Sequence, residues 1–326
     1  METENQTAQW KKVKELSKSG RSISFTAFLV KILPHVVLIA LTKIVTVFYY
    51  AFNFRARKVS RQYQKNLIAF AKQQNIPNKA PKFPHTYRHI TSFATCLVEK
   101  IEGWSGKTSM NHIEFANGNA DVEEVRSLLK NKQGCMLFCS HLGNIELFRS
   151  IFSFGTDDFD HIIPVTIIMD KAVTQNFNDF IENLNSNAKM NVIAADDISM
   201  GTMEQLQDTI ENGGLVVISA DRVPAYNASR CLNVSFLGKT AKLPYGPFLI
   251  AALLNCPTFF IFSMRKHQSG FDPTYVINLI KSDISFDGGR KERETKIAAL
   301  AARYAKLMEE FCLKYPYQWY NYYDFW

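Results

Sequence analysis

The stretch CMLFCSHLGNIELFR, residues 135–149, decides which fold this sequence adopts. It opens with an apolar run that is typical of a fully buried strand, and it closes with the apolar spacing of a helix. Between them stand Ser140, His141, Gly143 and Asn144, which supply the flexible backbone of a tight turn and a side chain to cap the helix. The stretch therefore predicts a strand, a turn and a helix, which is the repeating unit of an α/β protein.

The same alternation continues along the chain after residue 106. Apolar runs of four to seven residues, short enough for buried strands, are separated by stretches with helical periodicity. The predicted strands cover residues 111–117, 136–139, 162–168, 191–194, 215–220, 258–264 and 275–281. The predicted helices cover residues 122–132, 144–154, 173–185, 200–212 and 290–315. This order predicts an α/β fold with a mostly parallel central sheet flanked by helices.

Composition and charge limit the classes of partner that this protein can bind. Hydrophobic residues make up 47% of the 326 residues and charged residues 21%, which excludes a mainly disordered chain. Residues 1–107 hold 18 Lys and Arg against 5 Asp and Glu, whereas the remainder holds 20 against 25. A basic segment attached to a mildly acidic domain indicates an anionic partner, either nucleic acid or lipid head groups.

The apolar segment from Ile23 to Phe54 favours a membrane over nucleic acid. Lys31, Pro34 and Lys43 interrupt it, so its longest uncharged runs are 11 residues, whereas a spanning helix needs about 20. Five basic residues stand close to each end, which gives no orientation by the positive-inside rule. We expect a proline-broken pair of helices in the membrane interface; a spanning helix and an ordinary buried hairpin are the alternatives.

The segment before the sheet contains two more predicted helices, at residues 57–74 and 87–101. A polar stretch with three prolines, residues 75–85, separates them and marks a boundary. We therefore predict a basic, membrane-associated helical segment over residues 1–75 and an α/β domain over residues 76–326.

His141 and Glu146 form the candidate catalytic pair. They are five residues apart, so on one continuous helix their side chains would diverge by about 140°. They meet only if His141 lies in the turn and Glu146 in the first turns of the helix. A carboxylate that holds one imidazole nitrogen leaves the other able to take a proton from a hydroxyl. The alternative is a capping histidine and a glutamate that complements the helix dipole.

A second candidate region lies about 80 residues further on, in SADR (residues 219–222) and VSFLGKTAKLPYGPF (residues 234–248). Asp221 and Arg222 follow a predicted strand, where they can contact an acceptor or structure the loop. The longer stretch is interpreted as a shaped loop before an apolar helix, with basic residues placed to meet phosphate. Ordinary turn chemistry and a structural ion pair are the alternatives. Because ligands collect at the carboxyl ends of parallel strands, we expect Asp221 and His141 to open onto one cleft.

Four motifs carry a resemblance to a known family: HLGNIE at residues 141–146, DR at 221–222, FLG at 236–238 and PYGP at 244–247. In this order and spacing they resemble the bacterial lipid A late acyltransferases, of the lysophospholipid acyltransferase superfamily with its H-x4-D/E signature. The ending PYQWYNYYDFW, residues 316–326, resembles that family's P-x-Q-W terminus. The set is also similar to acyltransferases of aryl polyene lipid gene clusters. Family members usually carry one cleaner transmembrane helix than this chain does.

The resemblance implies an O-acyltransferase that moves a fatty acyl chain from a thioester to a hydroxyl of a lipid or glycolipid. Acyl carrier protein is the expected donor, with a coenzyme A thioester as the alternative, at the cytoplasmic face of a bacterial inner membrane. His141 is the expected general base, oriented by Glu146, and no metal or cofactor is expected. Backbone N–H groups around Gly143, or the Arg149 side chain, are the candidate donors to the thioester oxyanion. The expected substrate-binding residues are Gly143, Asn144, Arg149, Asp221, Arg222, Phe236, Gly238, Lys239 and Pro244.

Other functional classes lack their motifs. The chain contains no G-x-S-x-G elbow of a serine hydrolase and no G-x-G-x-x-G or P-loop of a nucleotide-binding enzyme. Its six cysteines form no CxxC pair, which argues against a zinc ribbon or a disulfide scaffold. A catalytically silent lipid-binding or scaffold protein of the same fold is the remaining alternative.

Overall fold

A computed structural model describes residues 28–105, 107, 110–116, 120–145, 147, 161–169, 190–196, 198–223, 230–323 and 325–326. The helix predicted at residues 144–154 falls largely outside these ranges, and the helix predicted at 173–185 falls entirely outside them.

The described helices agree closely with the sequence pattern. They are α1 His35–Phe52, α2 Phe54–Gln73, α3 Thr86–Trp104, α4 Ala120–Lys130, α5 Met200–Glu211, α6 Tyr245–Leu254 and α7 Arg290–Lys314. Residues 28–32 are also helical, and Pro34 stands at the N-cap of α1. The predicted break of the apolar segment at Pro34 is therefore confirmed, because proline cannot continue the preceding helix but is tolerated where the next one begins.

The described strands form one large sheet and one hairpin. They are β1 Ile113–Phe115, β2 Cys135–Cys139, β3 Val165–Met169, β4 Met190–Ala194, β5 Leu215–Ser219, β6 Cys231–Phe236, β7 Lys239–Pro244, β8 Thr258–Arg265 and β9 Tyr275–Lys281. The seven-stranded sheet has the order β1-β9-β8-β2-β5-β3-β4. Neighbouring strands pair in parallel except β8 and β9, which are antiparallel. The predicted mostly parallel sheet is confirmed.

Strand β2 lies at the centre of the sheet, and its five residues are all buried. Met136 and Phe138 face the larger of two hydrophobic cores, whereas Cys135, Leu137 and Cys139 face the smaller one. Side chains alternate across a strand, so a strand covered on both faces reads as an unbroken apolar run. This burial explains why the sequence of β2 shows no polar alternation.

Helices cover both faces of the sheet. Helices α2, α5, α6 and α7 contribute buried residues to the larger core, and α4 contributes to the smaller one. Tyr63, Leu67 and Ala71 place α2 in the same core as β2, although α2 belongs to the basic segment of the sequence. The predicted division between residues 1–75 and 76–326 stays a prediction.

The shaped loop predicted before the apolar helix is in fact a β-hairpin. Strands β6 and β7 pair antiparallel across a two-residue turn at Leu237 and Gly238, whose φ angles are 51° and 73°. Two consecutive positive φ angles match the twist of a tight hairpin. The prediction was wrong because the hairpin has few apolar residues on its outer face, so its alternation resembles that of a loop. The apolar helix that was expected to follow is α6.

His89 connects the N-terminal helices to the C-terminal segment. Its Nδ1 lies 2.9 Å from Ser60 Oγ, and its Nε2 donates to the Trp319 carbonyl oxygen at 2.8 Å. The side chain is fully buried. Burial lowers the pKa of His89 to about 4, although the hydrogen bond to Trp319 opposes the shift. The neutral imidazole is therefore the form that the folded protein holds at pH 7.

We expect the free energy of unfolding to fall as the pH decreases from 6.5 to 4, the interval between the ordinary and the folded pKa of His89. Over this interval the unfolded chain binds a proton that the folded chain excludes, at a total cost of about 3 kcal/mol. Urea titrations across this range measure the loss. The variant His89→Gln should be less stable at pH 7 but should lose less stability on acidification.

The exposed His267 provides the matched control for this experiment, since His267→Gln removes a histidine and leaves the buried contacts of His89 with Ser60 and Trp319 unchanged. A pH slope in His89→Gln as steep as in the wild-type protein would contradict the assignment.

Candidate active site

The site forms where β2 and β5 end side by side. Cys139 and Ser219 are register partners in this parallel pair, so the residues that follow them emerge at the same edge of the sheet. His141 follows β2 and Asp221 follows β5. The structure brings these two residues together at one carboxyl edge, but Asp221 is completely buried there and does not open onto a cleft as the sequence predicted.

Asp221 holds His141 by two hydrogen bonds. The His141 Nδ1 atom lies 2.8 Å from Asp221 Oδ1, and the His141 backbone N–H donates to Asp221 Oδ2 at 2.9 Å. A carboxylate only accepts hydrogen bonds, so Nδ1 carries the proton of this contact and Nε2 is the nitrogen left to exchange a proton with a substrate. About a third of the His141 side chain, 36%, is exposed, whereas Asp221 is completely buried. This arrangement presents a basic nitrogen toward the surface and hides its counter-ion.

The charge on Asp221 is stabilised from several sides. Burial by itself would raise its pKa, but the charge and hydrogen bonds of His141, with the nearby Arg222, hold the pKa of this carboxyl well below its usual value. Ser219 Oγ donates to Oδ1 at 2.8 Å, and Trp319 Nε1 donates to Oδ2 at 3.4 Å. Asp221 is thus ionised throughout the range in which an imidazole changes its protonation.

The C-terminal segment closes over this pair. The Tyr320 N–H donates to the His141 carbonyl oxygen at 2.8 Å, and Tyr323 Oη donates to the Asp221 carbonyl oxygen at 3.2 Å. Arg222 Nη2 donates to the Tyr320 carbonyl oxygen at 3.0 Å. The P-x-Q-W ending of the chain therefore orients both residues of the pair, a role that its sequence alone does not indicate.

The turn after His141 is built around Gly143. Its φ is +79°, and its N–H donates to the Gln318 carbonyl oxygen at 2.8 Å. A Cβ at this position would stand 2.0 Å from the Ser263 carbonyl oxygen. The strand β8 therefore passes too close for any residue but glycine.

Backbone N–H groups around Gly143 do not serve as oxyanion donors in this structure, which corrects the expectation from the sequence. Those of residues 141–144 donate in turn to Asp221 Oδ2, Ser140 Oγ, the Gln318 carbonyl and the Ser263 carbonyl. They hold the turn in shape, and none of these four donors points at a substrate.

Asn144 supplies a different polar group. Its backbone N–H binds Ser263, but neither its side-chain oxygen nor its side-chain nitrogen has a hydrogen-bond partner in the described part of the chain. The side chain is only 2% exposed. Buried amides are normally hydrogen-bonded, so this one is a candidate to bind a ligand.

Glu146 and Arg149 lie outside the described residues, so their predicted roles stay predictions. The sequence predicts that Glu146 holds one nitrogen of the His141 imidazole. In the structure, Asp221 binds one of these nitrogens, Nδ1. The contact between His141 and Asp221 was not predicted from the sequence, because Asp221 follows a different strand and is 80 residues away along the chain. The signal that could have found it is the position of both residues directly after buried strands.

The second candidate region splits into separate parts. One interpretation of the sequence placed Asp221 in contact with the acceptor. The structure contradicts it, because the oxygens of Asp221 are buried and already accept hydrogen bonds from protein groups. Phe236 packs edge-on against Trp319, with ring centroids 5.0 Å apart, and so supports the residue that donates to Asp221. Gly238 and Lys239 lie at the hairpin turn, where an added Cβ on Gly238 would contact Gln73 of α2. Pro244 is the N-cap of α6.

Within the described ranges, no group of three or more His, Cys, Asp and Glu side chains is placed to hold a metal ion. The six cysteines form no disulfide bond with one another, and burial raises the pKa of several of them, Cys256 to about 12. What the described site does present is a histidine that is oriented by a buried carboxylate.

Fold and site together define a class: an α/β protein that presents a histidine, oriented by a buried carboxylate, at the carboxyl edge of a parallel sheet. The chain belongs to the bacterial lipid A biosynthesis acyltransferase family, whose model matches residues 16–323. This result confirms the resemblance of the motifs and makes the chain a member of an acyltransferase family that acts on lipid-like substrates. No curated protein matched the chain in a sequence comparison.

Replacing Gly143 with alanine should disrupt the site. The new methyl group would clash with the Ser263 backbone in a left-handed conformation that alanine disfavours, so the turn must move. We expect a lower urea midpoint and loss of acyl transfer. Gly246→Ala is the matched control, because a Cβ there meets nothing within 4 Å and alanine favours the helix. Wild-type activity in Gly143→Ala would rule out the described turn.

Proposed function

We propose that this protein transfers a fatty acyl chain from the thioester of an acyl carrier protein to a hydroxyl of a lipid or glycolipid. The reaction takes place at the cytoplasmic face of the inner membrane, and coenzyme A is the alternative carrier. The observation that carries the proposal is the 2.8 Å contact between His141 Nδ1 and the fully buried Asp221. Membership of the family supports acyl transfer in general, whereas the donor, the acceptor and the catalytic residues are part of the proposal.

The proposed reaction is general-base catalysis by His141. Nε2 takes the proton of the acceptor hydroxyl while the hydroxyl oxygen attacks the thioester carbonyl carbon. The tetrahedral intermediate collapses, the new ester C–O bond remains, and the C–S bond breaks. The proton on Nε2 then passes to the departing thiolate sulfur. Asp221 stabilises the imidazolium at every stage in which Nε2 carries the proton.

The oxyanion of the intermediate needs a donor that the turn backbone does not supply. We assign this role to the Asn144 side-chain amide, which is buried one residue after Gly143 and three residues after His141. An amide N–H held away from water stabilises a developing negative charge strongly. Arg149 remains the alternative donor.

The acceptor is proposed to meet basic side chains around the pair. Arg222 lies next to Asp221 and is partly exposed, so it can contact an anionic head group while it binds Tyr320. Lys239 is exposed at the start of β7, on a hairpin whose turn contacts Gln73 of α2 and Glu309 of α7. We propose Arg222 as the nearer acceptor contact and Lys239 as a more distant one.

The two candidate carboxylates can be separated by mutation. His141→Ala should lower kcat about 10²–10⁴-fold, because it removes the general base. If Asp221 orients the imidazole, Asp221→Asn should approach the same loss with little change in KM, and Glu146→Gln should cost less. Steady-state kinetics with acyl carrier protein thioester and lipid acceptor measure all three variants.

Combining His141→Ala with Asp221→Asn adds a control, since two residues that act as one unit lose little more together than alone. Near wild-type transfer by folded His141→Ala would overturn the mechanism and favour the silent lipid-binding or scaffold protein. A larger loss in Glu146→Gln than in Asp221→Asn would return the orienting role to Glu146.

The oxyanion assignment predicts a loss in kcat rather than in binding. Asn144→Ala should lower kcat by about 10²–10³-fold with a nearly unchanged KM for both substrates, because the donor acts on charge that develops only in the transition state. Asn144→Asp keeps the shape and removes the donor, so it should be at least as impaired. Wild-type kcat in Asn144→Ala would assign the oxyanion to another group such as Arg149.

A further inference from the structure

Helix α2 carries a line of basic side chains on its outer face, the α2 stripe. Its members are separated by three, four and seven residues, so on a helix of 3.6 residues per turn they lie within about 60° of one another. All of them are exposed, and no acidic side chain in the described part of the chain pairs with them. The α2 stripe consists of Lys58, Arg61, Lys65 and Lys72.

The charge of the α2 stripe is not compensated nearby in the sequence. Residues 54–98 contain nine Lys and Arg and no Asp or Glu. Like charges three or four residues apart on a helix repel each other. Arg55 and Arg57 also stand in the first turn of α2, where the helix dipole disfavours cations. Helix α2 therefore carries a charge that destabilises it in isolation and that an anionic partner would neutralise.

The opposite face of α2 is fixed to the folded domain. Tyr63, Leu67 and Ala71 lie in the larger hydrophobic core. The Tyr63 ring packs against Trp319, with ring centroids 5.0 Å apart, and Trp319 donates to Asp221. One helix diameter, about 10–12 Å, thus separates the α2 stripe from the segment that closes over the active site. A partner bound to the stripe is held in a fixed position relative to that segment.

A basic groove of about 530 Å³ begins where α2 ends. Lys79 lines it and belongs to the short helical turn Pro77–Lys79 that follows α2. The Ile76 N–H donates to the Ala71 carbonyl oxygen, which keeps this turn against α2. Tyr317, one residue before Gln318, lines the same groove, and none of the described lining residues is acidic. The positive surface therefore extends beyond α2 to the C-terminal segment.

The α2 stripe differs from the surface of α1. Helix α1 is long and apolar enough to cross a membrane, and large apolar side chains such as Val45 and Phe48 are exposed on it. On α2, the exposed large apolar side chains end at Phe54, its first residue. A helix that lies in a bilayer interface turns its apolar face to the lipid, whereas the apolar face of α2 is buried in the protein. The stripe therefore suits a charged surface and not acyl chains.

We propose that the α2 stripe is the docking surface for the acidic acyl carrier protein that brings the thioester. This inference rests on the proposed function, because that function supplies an acidic protein that must approach His141. The stripe from Lys58 to Lys72 is about 21 Å long, which matches an acidic helix of about four turns. Complementary charge of this kind steers two proteins together and fixes their orientation.

Direct binding tests the docking apart from acyl transfer. Acylated carrier protein is titrated onto the full chain with His141→Ala, which cannot consume the thioester, and surface plasmon resonance gives Kd. We expect the affinity to fall as salt increases, because exposed charges are screened. Adding Lys58→Glu/Lys65→Glu should raise Kd about tenfold or more, since two attractive contacts become repulsive.

A matched control reverses the same number of charges elsewhere. Lys130 and Lys132 are exposed at the end of α4, which covers the opposite face of the sheet from α2. Lys130→Glu/Lys132→Glu should bind carrier protein as tightly as the unmodified surface does. Equal weakening in the two variants would show that net charge alone governs binding, and the α2 stripe would then not be the docking surface.

The stripe variant should remain folded. Lys58→Glu and Lys65→Glu place carboxylates three residues before and four residues after Arg61, where opposite charges stabilise a helix. The urea midpoint should therefore be unchanged or higher than that of the wild-type protein. A weaker complex in a protein of equal or greater stability assigns the loss to docking and not to unfolding.

Steady-state kinetics test the same variant with an intact His141. Lys58→Glu/Lys65→Glu should raise KM for acyl carrier protein about tenfold, with little change in kcat or in KM for the lipid acceptor. An acyl-pantetheine donor has no protein surface, so kcat/KM with this donor should equal that of the wild-type protein. An unchanged KM for acyl carrier protein would overturn the proposal.

The outcomes separate this proposal from the proposed function. A wild-type protein that neither binds acyl carrier protein nor transfers from its thioester contradicts the proposed donor itself. Wild-type transfer together with a wild-type KM in the stripe variant contradicts the docking surface alone. Sedimentation with phosphatidylglycerol vesicles covers the other anionic partner: a stripe variant that loses vesicle binding and keeps its KM for carrier protein would assign the stripe to lipid head groups and overturn the proposal.

Discussion

The pairing of His141 with a fully buried Asp221 constrains the rest of the structure. An isolated carboxylate removed from water costs several kcal/mol, so Asp221 can remain charged only while each oxygen is hydrogen-bonded. Ser219, His141 and Trp319 supply those bonds from two strands and from the end of the chain. A group that is held this rigidly can orient an imidazole without reorganising when the imidazole becomes charged.

The end of the chain is part of this arrangement. Gln318 binds the backbone of Arg265 through both amide atoms, its carbonyl accepts from Gly143, and the next residue reaches Asp221. His89 then fixes the Trp319 carbonyl from the opposite side. The P-x-Q-W motif thus works as a clamp whose amide and indole groups satisfy polar atoms that would otherwise be buried without partners.

Helix α3, which carries His89, also packs along α1. It presents one side to the C-terminal clamp and another to α1, so a single helix connects α1 to the segment whose Trp319 binds Asp221. Lys43 interrupts the apolar sequence of α1, and its Nζ lies 4.2 Å from the ring centroid of Phe271 in the β8–β9 connection.

The sequence alone determined the strands of the large sheet, most of the described helices and the mostly parallel pairing, because apolar periodicity and breaks such as Pro34 act over short distances. It also located His141 in a turn and Asp221 at a strand end. It missed the β6–β7 hairpin, whose pairing is stabilised by packing, and it did not identify Asp221 as a partner of the His141 imidazole. Only the tertiary structure decided that Asp221 faces His141, since that contact depends on the register of β2 and β5 and on closure by the C-terminal segment.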